Sequence, residues 1–358
     1  MIIVSDLSEI SQPTAIALGN FDGVHLGHQH VIEPVLPSSR ANLYPKFPLD
    51  LQVAPDLFEQ ALISTVVTFS PHPQEFFSST PRLLLTPIAE KVEQLKALGV
   101  EQLVLLPFDA ALAKLTAQEF MQKILIERLN VQKISVGFNF RFGYKRQGSI
   151  ADLLDVWGNH LHVVPEQTIS LEGNHLDGTH PEKNHTTPIR ISSSNIRTAL
   201  AQGELELANS LLGRPYCLTG TVVEGNQLGR QLGFPTANLQ LHPQKLLPRD
   251  GVYAVYVDGI PAGTEPSMQI QTPPQPVLGV MNIGVRPTVS GDRLRTIEVH
   301  LLNWSGDLYG CDLTVHLLKF VRPEKKFTSL DELKAQINAD CDVALSIRNS
   351  KIPFSTAY

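Results

Sequence analysis

The sequence predicts an α/β fold in two domains: a parallel sheet covered by helices, followed by a small antiparallel β-barrel with a terminal helix. The chain has 358 residues, which is more than a single domain usually contains. Short apolar runs alternate with helical patterns in the first half, which is typical of a parallel sheet. From Tyr216 onward, strand-like runs are separated by Gly, Pro and Asp, which is typical of an antiparallel barrel.

The composition limits the classes of partner. A net charge of −6 gives no general attraction to nucleic acid or to anionic membranes, so we expect neither as a partner. The expected partners are small molecules, and the expected state is a monomer or weak homo-oligomer. The 3 cysteines are far apart and have no metal-ligand spacing, which is typical of reduced thiols in a cytoplasmic protein. The sequence has neither a signal-peptide pattern at its start nor an apolar run long enough to cross a membrane.

The first predicted strand, Ala15 to Leu18, is followed by a glycine-rich turn and a short helix. The next helix is expected to have Thr86 as its N-cap and Pro87 as its first residue. A Pro-rich segment near residues 33–62 is interpreted as an insertion. The other expected elements of the first half are strands at 66–69, 103–106, 134–137 and 161–164, and helices at 87–98, 118–129 and 150–157.

The stretch AIALGNFDGVHLGHQHVI, residues 15–32, carries the first chemical pattern. Its glycines let the backbone bend and approach a ligand, and the helix after them offers unpaired N–H groups, which suits a phosphate. His25 and His28 add two imidazoles that can donate hydrogen bonds to phosphate oxygens. The alternative is a pair of solvent-facing loop histidines.

Two later segments fall where a parallel sheet has its ligand crevice, at the carboxyl ends of its strands. GFNFRFG follows a predicted strand and offers Asn139 and Arg141, although an aromatic-rich turn would also explain it. ISSSNIR opens a helix with hydroxyls and closes with an arginine, which suits triphosphate oxygens. A simple serine N-cap is the alternative. The polar residues of this segment are Ser192, Ser193, Ser194 and Arg197.

The second half contains a further chemical stretch, EGNQLGRQLGFPTANL. Its glycines predict a flexible flap, and Thr236 and Asn238 would share a face if the chain were extended there. Hydroxyl and amide oxygens can hold Mg2+ together with water and nucleotide oxygens. A generic glycine-rich hairpin is the alternative. Glu298 lies in the strand-like run TIEVHLLN and would be either a reactive carboxylate or an outward-facing acid.

Five runs are expected to form the barrel, and a final helix should pack across it. A capping box of Ser329 and Glu332 would begin this helix. The barrel runs are CLTGTVV, GVYAVYV, VLGVMNIG, TIEVHLLN and DLTVHLLKF, and the apolar stripe of the helix is Leu330, Leu333, Ile337, Cys341 and Leu345.

Several of these motifs resemble those of known enzymes. GNFDGVHLGH resembles the GxFDGxHxGH signature of the HxGH nucleotidyltransferase superfamily. GRQLGFPTANL resembles the flap and PTAN motif of riboflavin kinases, and GVYAV, NIGVRPT and VRPEKKF follow in the order of that family. Together they resemble the bacterial FAD synthetases, which join an FMN adenylyltransferase to a riboflavin kinase, across nearly all of the second half and most of the first.

The resemblance implies a Rossmann-like nucleotidyltransferase domain at residues 1–205, a riboflavin kinase-like barrel at 206–348 and a tail at 349–358. It implies phosphorylation of riboflavin to FMN in the barrel and adenylylation of FMN to FAD, with release of pyrophosphate, in the first domain. ATP would be the co-substrate of both reactions, Mg2+ the cofactor, and FMN and FAD the products.

The resemblance also assigns roles to individual residues. Glu298 would be the catalytic base of the kinase, and His25 and His28 the catalytic residues of adenylyl transfer. ATP for adenylyl transfer would be bound by Gly19, Phe21, Asp22, Gly27, Asn139, Ser192, Ser193, Ser194 and Arg197. In the kinase, the flap would use Gly229, Arg230, Gly233 and Pro235, Mg2+ would bind Thr236 and Asn238, and Arg322, Glu324 and Phe327 would close over flavin or nucleotide.

The sequence departs from the family pattern in three places. Ser70 stands where many relatives carry an acid, and both the Pro-rich insertion and the polar stretch near residues 166–188, with His175, His180 and His185, are longer than expected. These departures leave open an enzyme with only one working activity. A flavin-storage protein or a single-strand nucleic-acid binder is the alternative from another class, although the acidic balance argues against the latter.

Overall fold

A computed structural model describes residues 1–10, 12–37, 62–78, 80–170, 188–225, 228–261, 276–287 and 293–347. Most of the Pro-rich insertion and most of the polar stretch with His175, His180 and His185 lie outside these residues. The chain divides into two compact units, Met1–Ser193 and Ser194–Tyr358, and each is described by itself. No described helix is both long and apolar enough to span a lipid bilayer.

The first unit contains a parallel six-stranded sheet. Its strands are β1 (Ile2–Val4), β2 (Thr14–Leu18), β3 (Ile63–Ser70), β4 (Gln102–Pro107), β5 (Val131–Gly137) and β6 (Leu161–Val164), in the spatial order β1-β4-β3-β2-β5-β6. The chain runs outward from β2 through β3 and β4 in one direction and through β5 and β6 in the other. The order therefore reverses between β2 and β5, and in such sheets ligands bind at the carboxyl ends of the strands on either side of this point.

Helices cover both faces of this sheet, as its alternating side chains require. Ala15 and Ala17 pack on one face, while Ile16 and Leu18 pack on the other, and all four are buried. The helices are α1 (Leu26–Ile32), α2 (Pro73–Ser78), α3 (Ile88–Ala97), α4 (Ala110–Lys114), α5 (Ala117–Glu119, continued by a π-helical segment Phe120–Ile126) and α6 (Ile150–Trp157). A two-stranded antiparallel sheet, β7 (Thr168–Ile169) with β8 (Ile189–Arg190), ends the unit.

The second unit begins with two helices and continues as a closed antiparallel barrel. Its elements are α7 (Ser193–Gln202), α8 (Leu205–Leu212), β9 (Tyr216–Val223), α9 (Leu228–Leu232), β10 (Ala237–Leu241), β11 (Gly251–Asp258), β12 (Val277–Pro287), β13 (Arg293–Leu301), β14 (Asp312–Arg322) and α10 (Leu330–Ile347). The barrel order is β10-β13-β12-β11-β14-β9. Five of these strands correspond to the predicted runs, whereas β10 is additional because the PTAN segment was interpreted only as a flap.

The boundary between the two compact units falls after Ser193, whereas the sequence suggested a domain boundary after residue 205. A pair of hydrogen bonds explains why α8 belongs with the barrel. The Asn209 amide donates to the carbonyl oxygen of Leu317 on β14 at 2.9 Å and accepts from the backbone N–H of Tyr216 at 2.7 Å. Asn209 is buried, so these bonds fix α8 against the first and last barrel strands.

Two helix starts differ from the sequence expectation. Helix α3 begins at Ile88 with Pro87 as its cap, so Thr86 is not its N-cap; the Thr86 hydroxyl instead accepts the backbone N–H of Gly23 at 2.9 Å. At α10 only half of the predicted capping box forms. Ser329 accepts the N–H of Glu332, but the Glu332 carboxylate binds the backbone N–H of Thr328 at 3.0 Å.

The buried face of α10 agrees with the predicted stripe at Ile337 and Cys341 and differs from it at Leu330 and Leu345. Cys341 and Ala344 pack against Val252, Ala254 and Val280 on the outside of β11 and β12. Leu330 is 64% exposed and Leu345 is 36% exposed, because the helix contacts the barrel along a line that passes through Ala344. Small residues allow the helix axis to approach the strands at that point.

Candidate functional site

The turn after β2 brings the two histidines of the first motif together. His25 caps α1, and its Nδ1 accepts the backbone N–H of His28 at 3.2 Å. Since Nδ1 accepts, the proton of the neutral ring is on Nε2, which is then the donor nitrogen of this ring. The two imidazoles stack with centroids 3.6 Å apart, and a Cβ at Gly27 would come within 3.3 Å of the His25 ring. Gly27 therefore leaves space for the stacked pair.

The backbone before His25 is held in an unusual conformation. Phe21 and Val24 have φ angles of 47° and 42°, in the region that side chains other than glycine rarely adopt. The Phe21 ring is 1% exposed and lies under Gly19, where a Cβ would approach it at 3.3 Å. Strained backbone persists only where surrounding contacts hold it in place, and it is commonly found at ligand-binding sites.

Asp22 enforces this turn from inside the protein. Its Oδ1 accepts the backbone N–H groups of Leu85 at 2.8 Å and Thr86 at 3.3 Å, and the side chain is 4% exposed. The resemblance expects Asp22 to bind ATP. These contacts give its carboxylate a structural task, which is to join the turn to the segment before α3.

Lys91 supports the same turn and was not identified from the sequence. Its Nζ donates to the carbonyl oxygen of Asn20 at 2.9 Å, and the residue is 8% exposed. The Thr68 hydroxyl donates to the same oxygen at 3.0 Å. Burial lowers the pKa of Lys91 to about 8, with the Asp22 carboxylate acting in the opposite direction.

The serine motif meets this turn at its first residues. The Ser193 hydroxyl donates to the carbonyl oxygen of Asp22 at 2.8 Å, and the Ile191 side chain lies 3.7 Å from the Cβ position of Gly27. Ser192 precedes α7. Ser194 and Arg197 lie three residues apart on α7, within the second unit, and therefore share a face of that helix.

The GFNFRFG motif lies at the carboxyl end of β5, next to β2 in the sheet. Asn139 is exposed, and its Oδ1 lies 3.7 Å from the Cβ position of Gly137. A turn bond from Phe140 N–H to the Gly137 carbonyl oxygen, 3.0 Å long, sets this arrangement. The motif and the histidine turn thus follow the two strands between which the sheet order reverses.

Four aromatic rings meet at the carboxyl ends of β3 and β4, and their interaction was not predicted. Phe108 is the centre, with ring centroids 5.4 to 5.8 Å from the other three, which are Phe69, Phe76 and Phe77. Phe77 is 71% exposed. Ser70 is the last residue of β3 and accepts the backbone N–H of Phe108 through its carbonyl oxygen. This Phe108 cluster presents an apolar aromatic surface at the ligand edge of the sheet.

In the barrel, three polar side chains line up across neighbouring strands. The β10–β13 register pairs Asn238 with Glu298, and the β13–β12 register pairs Glu298 with Asn282. Met281 and Val299, their chain neighbours, are fully buried in the barrel, so the three polar residues lie on its outer face. Thr236 immediately precedes β10.

The flap glycines allow the chain to wrap closely around Thr236 and Asn238. A Cβ at Gly225 would overlap the Asn238 amide, and one at Gly229 would overlap the Phe234 carbonyl and lie 3.3 Å from the Thr236 hydroxyl. Arg230 is exposed on α9, and Gly233 ends that helix with φ of 89°.

Pro235, near the end of the flap, is bound to the barrel. The Nδ1–H of His300, two residues after Glu298, donates to the Pro235 carbonyl oxygen at 2.8 Å. The Phe234 ring meets the same imidazole edge-on, with centroids 5.6 Å apart. The end of the flap is therefore fixed to the strand that carries Glu298.

The segment after β14 divides into a structural and an exposed part. Arg322 makes a bidentate pair with Asp340 of α10, with Nη2 to Oδ2 at 2.7 Å, and Asp340 is 2% exposed. The expected closure over flavin or nucleotide stays a prediction for Arg322, whose guanidinium here holds α10. Glu324 reaches back to the barrel above Gly284, and Phe327 lies with its ring centroid 5.8 Å from the Arg322 guanidinium.

An Mg2+ ion fits the donors that the barrel offers. Thr236 offers a hydroxyl oxygen and Asn238 an amide oxygen, both closely approached by the flap glycines Gly229 and Gly225, and Mg2+ prefers oxygen ligands. Among the described residues, no group of three or more His, Cys, Asp or Glu side chains could hold a metal by itself. Metal binding here would therefore depend on water and nucleotide oxygens in addition to these side chains.

Known proteins resemble the chain over more than nine tenths of its length. A family model described as FAD synthetase matches residues 7–176, and one described as riboflavin kinase matches residues 212–348. The bifunctional riboflavin kinase/FMN adenylyltransferase of Escherichia coli strain K12 is 37% identical over 339 residues, which are 94% of each chain. This chain belongs to the family of bifunctional riboflavin kinase/FMN adenylyltransferases.

Other members of this bifunctional family are similarly close. The Pseudomonas fluorescens relative is 38% identical over 331 residues, covering 92% of this chain and 91% of its own, and the Haemophilus influenzae relative is 35% identical over 345 residues, covering 96% and 97%. A solved structure named as a macrolide-efflux protein from Streptococcus pneumoniae is 30% identical, with a TM-score of 0.72, covering 98% of this chain and 99% of that chain.

The two family matches divide the candidate residues between them. The FAD synthetase match contains the stacked histidines and Asn139, and the riboflavin kinase match contains Asn238, Glu298 and Arg322. The serine motif lies between the two matched segments. The bifunctional family assignment therefore confirms the predicted fold class and the presence of both modules.

Proposed function

We propose that this chain phosphorylates riboflavin to FMN with its barrel and adenylylates FMN to FAD with its N-terminal unit. The carrying observation is the difference between the two groups of side chains. The barrel group contains a carboxylate, Glu298, paired with Asn238 across two strands. The N-terminal group consists of hydrogen-bond donors around His25 and His28.

The kinase reaction needs a base because its nucleophile arrives neutral. A ribityl hydroxyl must lose its proton before or during attack on the γ-phosphorus of ATP, and a positioned carboxylate can accept that proton. We assign this role to Glu298. Thr236 and Asn238 would hold Mg2+, which when bound neutralises charge on the phosphate oxygens. Flap residues Gly229, Arg230, Gly233 and Pro235 would cover the nucleotide, and Glu324 and Phe327 would close the other side.

The adenylylation reaction needs no base because its nucleophile is already charged. The phosphate of FMN has a second pKa of about 6, like other phosphate monoesters, so at neutral pH an anionic oxygen can attack the α-phosphorus of ATP. The site must then stabilise charge that develops on the phosphates, which is the task of donors. We assign it to His25 and His28, with Asn139, Ser192 and Ser193 as further ATP contacts. For Ser194 and Arg197, the role in ATP binding stays a prediction from the family resemblance.

The remaining N-terminal residues would shape this site through the backbone. Gly19 and Gly27 allow close approach, while Phe21 and Asp22 are buried and hold the turn that presents the imidazoles. We assign the flavin ring of FMN to the Phe108 cluster. A planar aromatic ring system stacks well on exposed aromatic side chains.

We further propose that the enzyme uses Mg2+ and works in the cytoplasm. It would be a monomer or weak homo-oligomer and would bind neither nucleic acid nor a membrane. Three free cysteines, Cys217, Cys311 and Cys341, support a reducing compartment.

Product analysis with riboflavin and Mg-ATP tests the proposal. Chromatography of the time course should show FMN first and FAD later, and FMN supplied directly should give FAD and pyrophosphate. If FMN accumulates and FAD never appears, the chain has kinase activity but no adenylyltransferase activity, which is the possibility that Ser70 raises. Retained flavin without any ATP turnover would instead favour a storage protein. A reaction without added Mg2+ and with excess chelator is the control, and neither step should proceed in it.

A further inference from the structure

Asn282 lies in the NIGVRP run, and no function has been assigned to its side chain. It is in β12, and the ladder with β13 places it directly opposite Glu298. Its chain neighbours Met281 and Ile283 are fully buried in the barrel, so Asn282 shares the outer face with Glu298. The β12–β13 and β10–β13 ladders thus give Glu298 an amide neighbour on both sides, Asn282 and Asn238.

The spacing of a ladder makes this arrangement a source of hydrogen bonds. Directly opposite residues in an antiparallel pair have Cβ atoms about 4.5–5.5 Å apart. A carboxylate and an amide side chain on such positions can meet within hydrogen-bond distance, and the amide NH2 group has two protons to donate. An amide can therefore orient the Glu298 carboxylate without bringing a competing charge.

The same amide also meets the segment after β14. A Cβ at Gly284 would overlap Oε1 of Glu324 and would lie 3.1 Å from Nδ2 of Asn282. Both polar atoms therefore lie next to a single point on β12, where only glycine leaves room for them. Asn282 thus has its amide nitrogen near the Glu324 carboxylate, while its ladder position lies opposite Glu298 on the neighbouring strand.

We propose that Asn282 is a positioning residue for the kinase reaction, which holds the Glu298 carboxylate in the orientation needed to accept the hydroxyl proton of riboflavin. The proposal depends on the kinase function assigned to Glu298. Asn238 would flank the carboxylate from one side and would also hold Mg2+, whereas Asn282 would orient it from the other side, next to Glu324. Substrate binding is not its task.

This role predicts a specific kinetic pattern. A misplaced catalytic group can cost on the order of 100-fold in rate, because the reacting atoms must lie in near-attack geometry. Asn282→Ala should therefore lower kcat for riboflavin phosphorylation by about 10- to 100-fold, with both KM values within about twofold. Asn282→Asp should lower kcat further, because it replaces the donor with a third carboxylate. Asn282→Ser keeps a short donor and should retain more of kcat than alanine.

The chain supplies its own controls. Gln240→Ala removes an exposed amide from the outer face of β10, where the opposite residue is Thr221 rather than an acid, and should leave kinase kcat unchanged. FMN adenylylation, measured on the same preparation, should be unchanged in every variant. Riboflavin titration followed by flavin fluorescence, together with a thermal unfolding curve, checks that the barrel is folded.

The outcomes separate this inference from the function on which it rests. An unsubstituted chain without riboflavin kinase activity would overturn both. An active chain in which Asn282→Ala and Asn282→Asp retain full kcat would overturn the inference alone. A raised KM with unchanged kcat would also overturn it, because that pattern indicates direct substrate contact. If the alanine variant fails to fold, the near-isosteric aspartate and the serine variants decide by the same kcat and KM criteria.

Discussion

Asn238 on β10 lies directly opposite Glu298 on β13. The flap motif and the carboxylate are separated by most of the barrel sequence, and the closure of the barrel makes them neighbours. A metal held by Asn238 and a hydroxyl deprotonated by Glu298 would then be a few ångströms apart, as in-line phosphoryl transfer requires.

Glu298→Gln should remove the base of the kinase and leave its shape intact. We expect riboflavin phosphorylation to fall by about 10²- to 10⁴-fold, the usual contribution of a general base. FAD formation from supplied FMN should stay within about twofold of the unsubstituted chain. Initial rates of both reactions, measured on one preparation, check this. Equal loss of both activities would contradict the division of roles.

His28→Ala should have the opposite effect. Loss of one donor to the phosphates is expected to lower FMN adenylylation by about 10²- to 10³-fold, as for other preorganised donors. Riboflavin phosphorylation should persist. His160→Ala, which removes an exposed histidine outside the motif, is the matched control and should change neither rate. A slow kinase in the His28 variant would argue against separate sites.

Lys91 should make the stability of the N-terminal unit depend on pH. Its pKa is lowered from 10.5 to about 8, so between these values the unfolded chain binds more protons than the folded one. The free energy of unfolding should therefore rise with pH in this window, by about 2 kcal/mol from pH 8 to pH 10.

Lys91→Met should lack this rise. Urea denaturation in a Trp304→Phe background, where Trp157 alone reports on the N-terminal unit, measures the difference between the two chains. Parallel stability profiles for the lysine and methionine chains would contradict the assignment.

Asp340→Ala should destabilise the barrel unit by about 3–5 kcal/mol, because it leaves Arg322 without its buried partner. Lys325→Ala breaks an ion pair with Glu332 whose side chains are 52% and 37% exposed, and should cost less than about 1 kcal/mol. Urea denaturation of both variants provides the comparison. An Asp340 variant as stable as the Lys325 variant would mean that α10 is held by its apolar contacts alone.

Phe77→Ala should raise KM for FMN in adenylylation by about fivefold, since an aromatic contact contributes about 1 kcal/mol. Kinase KM for riboflavin should not change. Leu154→Ala removes an apolar side chain that is 54% exposed on α6 and serves as the control. An unchanged KM for FMN would place the flavin ring elsewhere.

Local patterns accounted for most of the fold. Short apolar or alternating runs bounded by glycine identified the strands around Ile16 and Val255, since the residue pattern of a strand reflects which of its faces are buried. Helix ends were less well predicted, because capping depends on competition between partners. Thr86 binds Gly23, 63 residues away, and therefore does not cap α3. The edge strand β1 was also missed, since three residues carry too little periodicity.

The sequence alone determined the order of most elements and the chemistry of each motif: imidazoles and hydroxyls in the first half, and a hydroxyl, an amide and a carboxylate in the second. The tertiary structure decided which of these groups are neighbours. Asn282 beside Glu298 depends on strand register, and Lys91 beneath Asn20, 71 residues away, depends on how α3 packs on the sheet. Neither can be read from a local pattern, because register and helix docking are fixed by contacts between distant residues.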